Sequence, residues 1–123
     1  MKRINLEAMT GEQLVERFVA IAVEQDQAIL YDDNTLYNRL SHLLEAVETE
    51  LKNRRGDQRA RLLPLYSHPN LWVRLSAVKS SLALAPEEGR SVLQSIRESK
   101  RQPYAGEAGM TIRALDKGIF KPT

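Results

Sequence analysis

With 123 residues, the chain is the size of one domain, large enough to bury roughly two-thirds of its unfolded surface without covalent staples. It contains no cysteine, which excludes thiol catalysis, thiolate metal sites and a disulfide framework. The net charge of +2 hides a split: residues 1–51 hold four Lys/Arg against ten Asp/Glu, a net of −6, and residues 52–123 hold fourteen against six, a net of +8. Three readings of that split stand side by side: solvated helix faces without further meaning, a basic part that meets nucleic acid or an acidic partner, and head-to-tail self-association. The longest uninterrupted apolar run, Phe18–Val23, has six residues, far short of the ~20 needed to span a bilayer. The opening MKRINLEAMTGEQ is basic but lacks the apolar segment of a secretory signal. A soluble cytoplasmic protein with no membrane partner is expected.

Taken in chain order, Thr10 followed three residues later by Gln13 is a capping box, in which each side chain satisfies the other's free backbone N–H. It predicts a helix over 11–30 whose apolar stripe is Leu14, Phe18, Ile21, Ala22, Ala28 and Ile29. Asp32-Asp33-Asn34 breaks that helix and supplies acceptors for the start of a second, over 35–54, with Leu36, Leu40, Leu43, Leu44, Val47 and Leu51 turned inward. So short a connection makes the two helices antiparallel. Arg54-Arg55-Gly56 suits the negative end of the second helix dipole and a left-handed cap.

Asp57 caps a third helix carrying Leu62, Leu63 and Leu65, which Pro64 must shorten or kink. Ser67-His68-Pro69-Asn70 is turn chemistry, and a fourth helix follows to Ala85 with Leu71, Val73, Leu75, Ala77, Val78 and Leu82 inward. Large and small residues alternate there, as in a helix packed on both sides by others. Pro86-Glu87-Glu88 opens a fifth helix that reaches Ser99 on Val92, Leu93 and Ile96. A sixth runs from Pro103 to Lys117 with Gly118 as its cap, and Ile119 and Phe120 either fold back as a tail anchor or serve as a docking peptide. Nothing reads as a strand.

Helices three to six look like two copies of a short helix, turn and second helix. A shift of 32 residues sets Trp72 over Tyr104, Val73 over Ala105, Ala77 over Gly109 and Val78 over Met110. Such a period belongs to stacked helical pairs. LLPLYSHPNLWVRLSAVKSSLAL then resembles a HEAT-type repeat, with Leu62, Leu63, Leu65, Pro69, Asn70, Val73, Arg74, Ala77 and Leu82 where that motif places such residues. More broadly, LYNRL, GDQR, the segment from LLPLYSHPN to RSVL, and AGMTIRALDKGIFKP resemble a family of small bacterial proteins of unknown function over most of residues 10–123. The resemblance implies an all-α, HEAT-like domain over 1–123: a capping helical hairpin at 10–54, two helical pairs at 57–117 forming a short α-solenoid, and a tail at 118–123. It brings no activity, cofactor or catalytic residue with it.

Chemistry is thinly supplied. His42 and Glu45 stand at i, i+3 without the second histidine of a zinc-protease motif, and Asp32-Asp33-Asn34 lacks the glycine and downstream glutamate of a calcium loop. No metal or cofactor is expected. Gly106-Glu107-Ala108-Gly109 echoes a backbone-clamping GxxG without its α/β setting, and reads as close helix contact. Ser76, Ser80, Ser81 and Ser91 have neither a nucleophile elbow nor an evident base.

Trp72 and Tyr104 each begin a helix beside basic residues. They read either as packing staples over Tyr66, Pro69 and Pro103 or, with Lys79 and Arg101, as a partner-binding surface. Arg74 braces neighbouring backbone. The expectation is a non-catalytic protein–protein interaction module of unknown partner, in concrete form an antidote-like or adaptor protein, with a homodimer as one arrangement. The alternative is a nucleic-acid-binding helical repeat using Arg54, Arg55, Arg59, Arg61, Arg97, Lys100, Arg101, Arg113 and Lys117.

Overall fold

The computed structural model describes residues 5–123, so Lys2 and Arg3 of the charge count lie outside the described residues. Among the described residues there are five α-helices, two 3-10 helices and no strand. None of these helices is long and apolar enough to cross a membrane. The chain divides into two compact units, Met1–Arg61 and Leu62–Thr123.

In the first unit, α1 (Gly11–Leu30) starts at the expected capping box: Gln13 N–H donates to Thr10 Oγ1 at 3.1 Å and Thr10 N–H to Gln13 Oε1 at 2.9 Å. Asp32, in the left-handed region at φ 56°, turns the chain. Asp33 Oδ1 then accepts from Leu36 N–H at 3.0 Å and opens α2 (Asn34–Asn53). Leu14, Phe18, Ile21, Ala22 and Ala28 of α1 and Leu40, Val47 and Leu51 of α2 are buried. Leu43 is not: it is 40% exposed, because it lies about 60° round the helix from Leu40, at the edge of the stripe.

A polar tie sits inside the same stripe. Buried Gln25 donates its amide to Ser41 Oγ at 2.8 Å, and that hydroxyl donates to the Tyr37 carbonyl at 3.0 Å. Before α1 a short 3-10 helix (Leu6–Ala8) is held by Arg54, whose guanidinium donates to the Leu6 carbonyl at 3.1 Å and to Glu50 Oε2 at 2.7 Å.

Gly56 and Asp57, at φ 83° and 49°, make the next reversal. The expected third helix is a 3-10 helix (Gln58–Ser67) with Pro64 inside it. The segment is thus neither shortened nor kinked at Pro64, as the sequence led one to expect, but wound throughout as the tighter helix.

The second unit contains α3 (Leu71–Ser81), α4 (Pro86–Glu98) and α5 (Tyr104–Asp116). The His-Pro-Asn turn builds the start of α3: Asn70 Oδ1 accepts from Val73 N–H at 3.0 Å, His68 Nδ1 accepts from Asn70 N–H at 3.0 Å, and Arg74 Nε donates to the His68 carbonyl. Along α3 nearly every position is buried, leaving Lys79 exposed and Arg74 half-buried. Ser81 is satisfied in that interior by donating to the Ala77 carbonyl at 2.6 Å and pairing with the Tyr66 hydroxyl at 2.7 Å.

Arg90 reaches Asp116 across α4 and α5, and the Arg97 stem lies over Gly109. Residue numbers rise on one helix as they fall on the other, so the two are antiparallel. The 32-residue correspondence keeps Val73 and Ala105 both buried but fails at its far end, where Val78 is buried and Met110 is 53% exposed. Close packing of α5 uses Ala105 and Ala108, whereas Gly106 is exposed. Past Gly118 (φ 68°), Ile119 and Phe120 N–H both donate to the Ala114 carbonyl. Phe120 is half-buried, but Ile119 does not fold back as an anchor and remains 76% exposed.

Two glycines separate tight packing from loose. A Cβ on Gly89 would sit 2.3 Å from Leu82 Cδ1 and 3.3 Å from Val78 Cγ1, both on buried side chains. On Gly11 it would meet the Arg61 guanidinium at 2.3 Å, on an exposed side chain free to swing away. Helix propensity favours alanine at both by up to ~1 kcal/mol. Gly89→Ala should nevertheless destabilise by about 1–3 kcal/mol through overpacking, while Gly11→Ala should be neutral or stabilising. Urea unfolding of the two variants checks the contrast.

Candidate functional site

Three of the four residues expected to bind a partner meet on one seam between α3 and α5. The Trp72 and Tyr104 rings lie 6.5 Å apart between centroids at an interplanar angle of 52°. Two turns further along α3 and about one turn further along α5, Lys79 Nζ pairs with Glu107 Oε1 at 3.1 Å. The two contacts advance in the same direction along α3 and α5, so these helices run roughly parallel, with α4 returning between them in sequence.

Trp72 is only 6% exposed and Ser76 is buried, while Lys79 on the same side is exposed, so Trp72 takes the packing role of the two that the sequence left open. The reason is visible in composition: with Trp72, Ser76 and Ser80 small or aromatic, that side offers α5 a packing surface. Tyr104 is half-buried. Arg101 is exposed before α5, its carbonyl accepting Ala105 N–H at 2.8 Å.

The basic residues fall into two groups. Arg54 is tied as described above, Arg61 Nε donates to Gln58 at 3.1 Å, and buried Arg59 makes a bidentate pair with Asp57 at 2.9 and 2.7 Å. Arg90 pairs with Asp116 at 2.9 Å. Among the described residues, by contrast, the side chains of Lys100, Arg101, Arg113 and Lys117 form no ion pair or hydrogen bond, and Arg97 acts on Asp116 only at longer range.

Two of these free cations, Arg113 and Lys117, share one face. Gly106, Met110, Arg113 and Lys117, all exposed, recur at steps of four, three and four on α5, and Arg97 lies alongside over Gly109. Met110 is the apolar centre of a basic helix face. The 32-residue correspondence sets Met110 under buried Val78, but Met110 itself is exposed.

Other concavities are modest. Leu82, Ala83, Pro86, Leu115 and Pro122, with Glu87 and Arg90 among the remaining walls, line an open apolar cavity of about 510 Å³ in the second unit. His42, Glu45, Ala46, Thr49, Glu50 and Asn53 border a shallow cleft of about 400 Å³ along α2. Asp33 is engaged in capping α2, and the described residues contain no group of three metal-ligating side chains.

Ionisation follows the same contacts. Hydrogen bonding from Arg59 holds the Asp57 carboxyl below the usual range and raises the Arg59 guanidinium in return. The Arg90 hydrogen bond likewise lowers Asp116. Burial pushes the Tyr66 phenol up, with the Ser81 hydrogen bond working against it.

The fold and this surface define a small all-α protein with a basic helix face. Residues 12–116 match the family described as "Domain of unknown function (DUF2019)", and the chain belongs to that family. It is similar over 98% of its length, and over all of the other chain, to the crystal structure of the protein RPA1889 from Rhodopseudomonas palustris CGA009, with 45% identity and a TM-score of 0.93. No curated protein matches it.

Because the folded state lowers the Asp57 carboxyl, that group adds stability above the ordinary carboxylate range and the contribution is lost as pH falls through the folded value. Asp57→Asn should therefore lower the melting temperature at pH 7 and flatten its decline in acid. An unchanged acid limb in a pH series of thermal melts would count against the Asp57–Arg59 pair.

Proposed function

We propose that this protein is a non-catalytic protein-binding module, antidote-like or adaptor-like, that works in the cytoplasm and docks its partner on the basic face of α5. The observation that carries the reading is the set of cations without an ion pair beside Met110: Arg113 and Lys117 on its own helix face and Arg97 alongside, with exposed Arg101 preceding the helix. Ion pairing elsewhere consumes arginines for the fold, whereas these keep their charge available at the surface. An exposed methionine among them adds a soft apolar contact that adapts to a partner's shape.

A HEAT-like reading of 57–117 accords with this role. The parallel course of α3 and α5 with α4 between them is what stacked helical pairs would give, and such stacks present extended surfaces to partners. Trp72 then belongs to the stacking, and Lys79 and Tyr104 border the docking face without forming its centre.

The same free cations favour a second reading, in which the face follows a phosphate backbone. The aromatic pair is packed within the unit, which leaves base stacking little to work with.

An affinity pull-down with the wild type and the double variant Arg113→Glu/Lys117→Glu tests the leading reading. Recovery of a partner should fall about tenfold or more on charge reversal, while Trp72→Ala should chiefly lower stability, by about 3–5 kcal/mol. A partner retained by the charge-reversed protein would remove the α5 face from the proposal. Salt-sensitive oligonucleotide binding in place of a protein partner would select the second reading.

A further inference from the structure

We infer that the occupant of the α5 face is a second copy of this chain, which presents the outer face of its α1. This rests on the reading of that face as a protein-docking surface, and it names the partner. In α1, Glu12, Glu16, Ala20 and Glu24 are all exposed at successive four-residue steps. Such steps turn only about 40° each, so the four make one gently winding face. Among the described residues the three glutamates make no ion pair or hydrogen bond through their carboxylates.

The two faces match in charge, length and relief. Glu12 to Glu24 spans about 18 Å along α1 and Gly106 to Lys117 about 16 Å along α5. One face is anionic with small Ala20 between its charges, and the other carries protruding Met110 with Arg113 and Lys117 following it along α5 and Arg97 alongside. Laid together, they set the methionine over the alanine and bring carboxylates toward guanidinium and ammonium groups. Two faces of three turns bury less than the ~1,200 Å² typical of stable complexes, so the association is weak and depends on charge. Acidic and basic faces are different surfaces of the chain, so every contact joins unlike patches. One contact leaves a further acidic and a further basic face to be satisfied.

Analytical ultracentrifugation of the full chain provides the test, across protein concentration at 20 and 300 mM NaCl. Self-association is expected at low salt and should weaken about tenfold or more at high salt. Arg113→Glu/Lys117→Glu and Glu16→Lys/Glu24→Lys should each be monomeric while keeping the wild-type circular dichroism spectrum, and a 1:1 mixture of the two should associate again. The acidic-side variant Glu16→Lys/Glu24→Lys, on another helix, keeps the test independent if the basic-side variant unfolds.

A wild type that stays monomeric at millimolar concentration overturns the inference, as does association that ignores either reversal or is not restored by mixing. So does a fluorescent oligonucleotide that binds this face without self-association. If self-association fails while the pull-down still responds to the α5 reversal, the docking face stands and only its occupant was misassigned.

Discussion

The second unit depends on a helix that has no side to spare. In α3, Leu71, Trp72, Val73, Leu75, Ser76, Ala77, Val78 and Ser80 are buried, and at 3.6 residues per turn these positions run most of the way round the helix, so it is stable only while neighbours cover more than one side. Its own sequence cannot choose between inside and outside, because nearly every position is apolar or small. The exceptions fix its rotation. Arg74 binds the His68 carbonyl, and Lys79 pairs with Glu107. Ser81 reconciles burial with polarity by bonding back to Ala77 and across to Tyr66, the arrangement required of a hydroxyl that has lost water.

From this constraint follows the division of labour among charges. A unit whose central helix is enclosed must place its polarity on α4 and α5, and there the ion pairs are selective. Arg90 and Asp116 tie the start of α4 to the end of α5, while the cations between and beyond them stay unpaired. Exposed pairs of this kind add little stability, about 0–1 kcal/mol, so forming more of them would have strengthened the fold only slightly. In the first unit the arginines are used differently. Arg54 reaches backbone carbonyls of the segment before α1 and buried Arg59 is locked to Asp57, so substituting either would disturb structure before it tested recognition.

How far the sequence revealed this depended on how local the determining interaction is. Capping boxes, the proline start of α4 and the His-Pro-Asn turn involve residues within a few positions of each other, and α1, α2 and α4 begin within a residue of where such signals place them. Pro64 announced that the third helix would be altered, though not that the whole of 58–67 would wind as a 3-10 helix. The Gln25–Ser41 tie was hidden because a glutamine inside an apolar stripe carries no mark of its partner 16 residues away. Trp72 was ambiguous for a related reason: an aromatic at a helix start serves packing or recognition equally well, and only the arrival of Tyr104 decides that its ring is covered. The 32-residue correspondence could not show where Met110 faces, because α5 does not repeat the rotation of α3: Val78 is buried and Met110 exposed.

Helix dipoles account for part of the charge pattern. Arg97 and Arg113 sit in the last turns of α4 and α5, where cations are favourable by a few tenths of a kcal/mol to about 1 kcal/mol, and Glu12 sits in the first turn of α1. Yet α4 and α5 are antiparallel, so rules that act on each helix separately bring Arg97 beside Gly109 and Arg113 about one turn further on, to either side of Met110. Glu24 has no such local reason. It stands well past the first turn of α1, beyond the range of the N-terminal field, and has no basic partner among the described residues. A charge that its own helix does not need is the better indicator of an external contact, and Glu24 is therefore the residue on which an α1-to-α5 association turns.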